Sequence, residues 1–121
     1  MPIKKILVVD DSPTERFALM EFLSKQGFNV VTAESGEEAI VKAKAEKPDL
    51  ILMDVVMPGI NGYQATRTIS RDEETRAIPI IMCTSKGLET DKIWGMRQGA
   101  YDYLVKPVDH AELLKRIQAI G

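Results

Sequence analysis

The chain has 121 residues, with 16 Lys plus Arg, 18 Asp plus Glu and a formal net charge of −2. This nearly neutral balance excludes a domain that binds nucleic acid or anionic lipid through bulk charge. The length is typical of one domain, so we expect residues 1–121 to form one. A single cysteine, Cys83, rules out an intramolecular disulfide. Because no apolar run approaches the roughly 18 residues of a membrane span, the sequence predicts a cytoplasmic protein without membrane insertion.

Five short apolar runs alternate with five segments of helical pattern. The predicted strands are Ile6–Val9, Asn29–Thr32, Leu50–Met53, Ile78–Cys83 and Tyr101–Val105. Helices follow each of them, and the last three are predicted over about 61–71, about 89–98 and from about 109 onward. The first two helices each begin with a Ser followed three residues later by a Glu, which is the spacing of a capping box. These pairs are Ser12 with Glu15 and Ser35 with Glu38.

Strands that alternate with helices indicate a parallel sheet with helices on both faces, a doubly wound α/β fold. In such folds, ligands bind outside the carboxyl ends of the strands, where the strand order reverses. Polar side chains stand at four of these ends. They are Asp10 and Asp11 after the first strand, Asp54 after the third, Thr84 and Ser85 at the fourth, and Lys106 before Pro107 at the fifth.

Three carboxylates at one edge repel one another, and a hard divalent cation such as Mg²⁺ relieves that repulsion. A cation, a lysine and a hydroxyl together can hold a phosphoryl group. The sequence offers no Ser-His or Cys-His pair, so a carboxylate is the expected nucleophile and an acyl phosphate the expected product. Each residue alone fits an ordinary turn, cap or surface position. Their joint occurrence at four strand ends is what favours a functional site.

This pattern resembles the receiver domain of two-component response regulators, over essentially the whole chain. The matching residues are Asp10-Asp11, Asp54, the segment Met57-Pro58-Gly59-Ile60-Asn61-Gly62, Thr84-Ser85 and Lys106-Pro107. The resemblance implies a flavodoxin-like (CheY-like) fold with five helices and the strand order 2-1-3-4-5.

For the metal site, the resemblance implies that Asp54 accepts the phosphoryl group. Asp11, Asp54 and the backbone carbonyl of Val56 would ligate Mg²⁺, while Asp10 would mainly hold metal-bound water. Lys106 would contact a phosphoryl oxygen.

For signalling, the resemblance implies that Thr84 bonds the phosphoryl group and moves inward. The ring of Tyr103, the aromatic switch, would then move inward with it. This movement would change the face formed by the fourth helix, the fifth strand and the fifth helix. The bond between Lys106 and Pro107 is expected to be cis.

The resemblance also implies partners. The phosphoryl donor would be a sensor histidine kinase or its histidine phosphotransfer domain, and a downstream protein would bind the face just described. We expect a monomer that acts alone, as an output regulator or as a phosphate sink, because no further domain follows the fifth helix. Three segments are similar to the PilH-type regulators of twitching motility by type IV pili, a chemotaxis-like pathway. They are residues 10–15, 64–67 and 89–100.

Three alternatives differ in class. A small Mg²⁺-dependent phosphatase or phosphotransferase that uses Asp54 would need a second Asp two residues later, where this chain has Val56. A flavodoxin-like carrier would need a phosphate loop after the first strand, where Asp10 and Asp11 would repel phosphate. A receiver that is never phosphorylated would not need the acceptor, the acidic pair, Thr84 and Lys106 together.

Overall fold

The computed structural model describes residues 2–121, in which five strands and five helices alternate. The strands are β1 (Lys5–Val9), β2 (Asn29–Ala33), β3 (Leu50–Met53), β4 (Ile80–Thr84) and β5 (Asp102–Val105). The helices are α1 (Pro13–Lys25), α2 (Gly36–Glu46), α3 (Gly62–Arg71), α4 (Glu89–Arg97) and α5 (His110–Ile120). None of the helices in residues 2–121 combines the length and the apolar character that crossing a membrane requires.

All neighbouring strands pair in parallel, in the order β2-β1-β3-β4-β5. The order reverses at β1, because the chain adds β2 on one side of it and β3 on the other. Helices α2 and α3 contribute to the core on one face of the sheet, and α1 and α5 on the other. The predicted doubly wound fold and its strand order are confirmed.

Alternate residues of β1 belong to two separate cores. Leu7 and Val9 lie in one cluster, and Ile6 and Val8 lie in the other. Successive side chains of a strand point to opposite faces, so an apolar run without interruption is what a strand covered on both sides requires. The whole of β3 is buried in the same way. Packing on both faces of the sheet therefore holds these two central strands in place.

The strand boundaries lie within one residue of the prediction except at the start of β4. Strand β4 begins at Ile80, two residues later than expected. Pro79 has no N–H and cannot donate to the sheet, although its carbonyl still accepts from the N–H of Ile51 at 3.0 Å. Helix α4 ends at Arg97, and Gly99 follows with a φ of 112°. The positive φ turns the chain toward β5.

The capping box predicted at the start of α1 is only half formed. Ser12 Oγ accepts from the N–H of Glu15 at 3.3 Å, as expected. The N–H of Ser12, however, donates to Asp10 Oδ1 at 2.9 Å, so the Glu15 carboxylate is not needed for a return bond. At α2, Ser35 likewise accepts from the N–H of Glu38 at 3.1 Å, and the Glu38 carboxylate accepts from a different N–H. At α1, the Glu15 carboxylate is therefore free to bind another group.

Candidate functional site

Side chains from four strands meet at the carboxyl edge of the sheet. Asp10 follows β1, Asp54 follows β3, Thr84 ends β4 and Lys106 follows β5. Because these four strands are neighbours and parallel, their ends lie side by side. The backbone holds both acids, since the N–H of Asp54 donates to the carbonyl of Val9 at 3.0 Å and the N–H of Asp10 donates to the carbonyl of Ala33 at 3.1 Å. The sheet thus brings together residues that are far apart in sequence.

The ammonium of Lys106 contacts three carboxylates. Its Nζ lies 2.8 Å from Asp10 Oδ2, 2.8 Å from Glu15 Oε2 and 3.2 Å from Asp54 Oδ2. An ammonium has three N–H donors, so each donor has a carboxylate partner. The Asp10 and Asp54 side chains are 3% and 8% exposed, whereas that of Glu15 is 49% exposed. Two buried acids and one acid at the rim therefore share one cation.

Burial and charge act in opposite directions at this site. Burial raises the pKa of the Asp54 carboxyl above its ordinary value and the nearby Asp10 adds to the shift, while Lys106 works against it. Burial acts to lower the pKa of Lys106, but its hydrogen bonds to Asp10 and Glu15, together with the negative charges of Asp54 and Asp10, outweigh burial and the pKa is raised. The ammonium therefore remains charged at neutral pH, and ionised Asp54 is a net cost to the fold.

The acids can accommodate a metal ion. Asp10, Glu15 and Asp54 each offer a carboxylate oxygen, and these oxygens lie within 4.8 Å of one another. Three carboxylates and one ammonium leave two negative charges uncompensated, which a divalent cation would neutralise. Oxygen donors of this kind suit Mg²⁺. The donor set therefore fits a hard divalent cation.

The predicted site residues do not all converge. Asp10, Asp54 and Lys106 lie together, whereas Asp11 is exposed and outside the group of three acids. The side chain of Val56 is 54% exposed, and the metal contact of its backbone carbonyl stays a prediction. The bond between Lys106 and Pro107 is cis. The direct metal contact of Asp11 stays a prediction.

A chain of hydrogen bonds joins Thr84 to Tyr103 through one residue of the loop after β4. The N–H of Lys86 donates to Thr84 Oγ1 at 3.3 Å, and the carbonyl of Lys86 accepts from the Tyr103 hydroxyl at 2.6 Å. The Tyr103 hydroxyl also lies 3.3 Å from that of Tyr63, which donates to the carbonyl of Asp91 in α4 at 3.2 Å. The strand end and the start of α4 are therefore connected.

The ring of Tyr103 is already buried, at 8% exposed, although it was expected to move inward only together with Thr84. The Tyr103 hydroxyl has hydrogen-bond partners inside the protein. Helix α4 approaches the Tyr103 ring at Gly95. A Cβ at Gly95 would lie 2.9 Å from the Tyr103 ring and 2.9 Å from Met82 Sδ. The apolar side chains next to this glycine are about half exposed: Ile93, Trp94 and Met96.

The sequence interpretation missed three participants: the Glu15 carboxylate, the Tyr63 hydroxyl and the Lys86 backbone. Glu15 was assigned only to a helix cap. No local pattern signalled its contact with Lys106, because the spacing of Ser12 and Glu15 is that of a capping box. Tyr63 gave no signal, since its contact depends on how α3 packs against β5.

The two Asp residues that flank β3 are predicted to affect stability with opposite sign. The raised native pKa of Asp54 means that the free energy of unfolding falls as pH rises from the unfolded Asp value, about 3.9, through the native one. Asp54→Asn removes this pH-dependent loss. The free energy of unfolding of the variant should therefore be higher than that of the wild type above this pH range, by on the order of 1 kcal/mol, and equal to it below the range.

Asp49 is the control. Hydrogen bonds from the backbone N–H groups of Lys5 and Lys4 lower its pKa, so it adds stability that is lost as pH falls. Asp49→Asn should therefore be less stable than the wild type at neutral pH. The measurement is urea unfolding in metal-free buffer from about pH 3 to pH 8. An Asp54→Asn variant less stable than the wild type at neutral pH would show that ionised Asp54 is not a cost to the fold.

Comparison with known proteins identifies relatives over nearly the whole chain. The family model described as the response regulator receiver domain matches residues 6–118. The chain is 57% identical over 116 residues to Protein PilH of Pseudomonas aeruginosa, covering 96% of each. It also matches transcriptional regulators such as PhoP of Bacillus subtilis, at 42% identity, but spans only 48% of that protein's length.

Solved structures of similar proteins support the same family. The chemotaxis protein CheY4 of Vibrio cholerae superposes with a TM-score of 0.91 at 34% identity, covering 98% of this chain and 99% of that one. The receiver domain of a sensor histidine kinase from Pseudomonas aeruginosa, with magnesium coordinated in its active-site cleft, gives 0.89 at 35% identity, covering 96% and 95%. The chain therefore belongs to the response regulator receiver family, whose members are signalling domains.

Proposed function

We propose that this protein accepts a phosphoryl group on Asp54, in a Mg²⁺-dependent reaction, from a phosphohistidine of a sensor histidine kinase or histidine phosphotransfer domain. The observation that carries the proposal is the contact of Asp54 Oδ2 with Lys106 Nζ at 3.2 Å, beside Asp10, at the edge where the strand order reverses. Such an edge is where doubly wound folds bind their ligands.

The two oxygens of Asp54 differ in their surroundings. Oδ1 accepts from the N–H of Val55 at 2.7 Å, while Oδ2 faces the Lys106 ammonium. We assign Oδ2 as the nucleophile. It forms a bond to phosphorus as the bond from phosphorus to the histidine nitrogen breaks, and the electron pair of that bond returns to the imidazole. Lys106 is placed to neutralise charge on the phosphoryl oxygens.

Magnesium would be held by Asp11, Asp54 and the Val56 carbonyl, the set that the family resemblance implies, with Asp10 mainly holding metal-bound water. Bound there, it would supply charge neutralisation for the incoming phosphoryl group. The uncompensated negative charge of the acids supports this assignment, and the magnesium in the related kinase receiver domain is consistent with it.

The signal would travel from Thr84 to Tyr103 through the backbone of Lys86. A phosphoryl oxygen offers the Thr84 hydroxyl a charge-assisted hydrogen bond, which is stronger than the bond that Thr84 now accepts from Lys86. Movement of Thr84 would release the N–H of Lys86. The carbonyl of Lys86 holds the Tyr103 ring, because it accepts a hydrogen bond from the Tyr103 hydroxyl. The readout is then a population shift at the face formed by α4, β5 and α5.

In the cell, we propose a cytoplasmic receiver domain over residues 1–121 that acts as a monomer. It would signal to a protein that binds the α4-β5-α5 face or serve as a phosphate sink. The identity to PilH and the three matching segments support a role in type IV pilus or chemotaxis-like control. Its self-phosphorylation and dephosphorylation would be the only chemistry it assists.

The acceptor assignment predicts that Asp54→Asn abolishes labelling by acetyl phosphate in the presence of Mg²⁺, because the amide lacks the nucleophilic oxygen. Asp49→Asn is the matched control, since Asp49 precedes the same strand at its other end. The control should be labelled like the wild type. The measurement is acid-labile phosphate by intact-protein mass spectrometry. Undiminished label on Asp54→Asn would overturn the assignment.

The coupling predicts that Thr84→Ala still binds beryllofluoride, which stands in for the phosphoryl group, but no longer transmits its effect. NMR resonances of Tyr103 and Trp94 should shift on beryllofluoride addition in the wild type and stay in place in Thr84→Ala. Thr84→Ser keeps the hydroxyl and should shift like the wild type. Equal shifts in Thr84→Ala and the wild type would show that the coupling runs elsewhere.

A further inference from the structure

The Arg16 guanidinium connects the acidic edge to the end of the neighbouring strand. Its Nη1 donates to the backbone carbonyl of Asp10 at 2.8 Å, and its Nη2 donates to Glu34 Oε1 at 3.1 Å. Arg16 is the fourth residue of α1, and helix side chains lean toward the N-terminus of their helix, so this side chain reaches the segment before α1. One mostly buried cation, 15% exposed, thus joins the segments that follow β1 and β2.

The carbonyl that Arg16 binds belongs to the peptide between the two acids. The Asp10 carbonyl and the Asp11 N–H form one planar unit, so a donor that holds the carbonyl restricts the directions in which both carboxylates can point. No backbone N–H of residues 2–121 donates to this carbonyl, whereas the N–H of Asp10 donates to the carbonyl of Ala33 at 3.1 Å. The sheet therefore holds one side of Asp10, and Arg16 holds the other.

Glu34 orients the guanidinium. The N–H of Glu34 donates to Glu38 Oε1 at 2.8 Å, which ties Glu34 to the first turn of α2. The Glu34 side chain is 71% exposed, and an ion pair with such an exposed partner adds little stability. A guanidinium, however, is a rigid fork whose donors have fixed directions. The bond to Glu34 therefore sets the direction in which the other arm of Arg16 points.

We propose that Arg16 is a positioning residue for the Asp10-Asp11 peptide, which it holds ready for a divalent cation. The inference rests on the proposed function, because it concerns the cation that the phosphoacceptor requires. With Asp11 as a ligand and Asp10 holding metal-bound water, the orientation of one peptide unit governs both contributions. Groups that are held in place beforehand lose less conformational freedom when the ion binds.

An effect of charge alone has the opposite sign. Arg16 is a cation bonded to the segment that carries the acids, and a cation repels Mg²⁺. If charge were its only effect, removal of Arg16 would tighten Mg²⁺ binding, whereas loss of positioning weakens it. The direction of the change in affinity therefore separates the two effects.

Two substitutions and one control make the test. Arg16→Met removes the charge and the donors but keeps an apolar stem against Phe17, and it leaves no buried charge because Glu34 is exposed. Arg16→Lys keeps the charge without the planar fork. Arg116→Met is the control, because Arg116 also donates to a carboxylate, that of Asp102, but at the opposite end of β5 from the site.

The first measurement is the order parameter of the Asp11 amide, from ¹⁵N relaxation of the metal-free protein, because this N–H lies in the peptide that Arg16 holds. It should be near the rigid-backbone value of about 0.85 in the wild type and in Arg116→Met, and fall toward about 0.6 in Arg16→Met. The second measurement is Mg²⁺ affinity by calorimetry. Arg16→Met should bind about tenfold more weakly than the wild type, Arg16→Lys should lie between them, and Arg116→Met should bind no more weakly than the wild type.

An Arg16→Met variant that binds Mg²⁺ as tightly as the wild type, or more tightly, would overturn the proposal. An unchanged order parameter of the Asp11 amide in this variant would overturn it as well. Neither measurement involves phosphorylation, so the two proposals can fail separately. If acetyl phosphate does not label Asp54 while both measurements give the expected results, the phosphoacceptor function is wrong and the positioning role of Arg16 stands.

Discussion

The site depends on one interaction, the binding of the Lys106 ammonium to three carboxylates at the carboxyl edge of the sheet. Without this cation, Asp10 and Asp54 would be two buried negative charges side by side, which is costly. With it, the acids remain close enough to accept a divalent ion. The parallel order of β1, β3 and β5, and burial on both faces of the sheet, place these groups together.

The same edge is linked to a surface on the far side of β4. The Lys86 N–H donates to Thr84 and the Lys86 carbonyl accepts from Tyr103, so a displacement of either side chain reaches the other through one residue. Gly95 lets α4 rest on the Tyr103 ring, and the apolar side chains beside it stay outside. A small chemical change at a strand end can therefore alter a surface that a protein partner could bind.

The alternation of strands and helices, and the meeting of Asp54 and Lys106 at one edge, could be predicted because apolar runs and the polar residues that end them are local features, whereas the strand order came from the family resemblance. The sequence was not sufficient for Glu15, since capping and ion pairing compete for the same carboxylate and only the folded geometry decides between them. The buried ring of Tyr103 also could not be predicted. Its position depends on the Tyr63 hydroxyl and on Gly95, which come from two other helices.

In the metal-free protein the Lys106 ammonium compensates the charge of the buried acids, a task that a divalent cation bound among them would share. The most direct test is the free energy of unfolding of the wild type and of Lys106→Met, measured by urea at neutral pH over a series of Mg²⁺ concentrations. The variant should be less stable than the wild type without metal, by about 1–3 kcal/mol, and Mg²⁺ should narrow the difference. Equal stability without metal, followed by a parallel rise of both proteins with Mg²⁺, would contradict this role of Lys106.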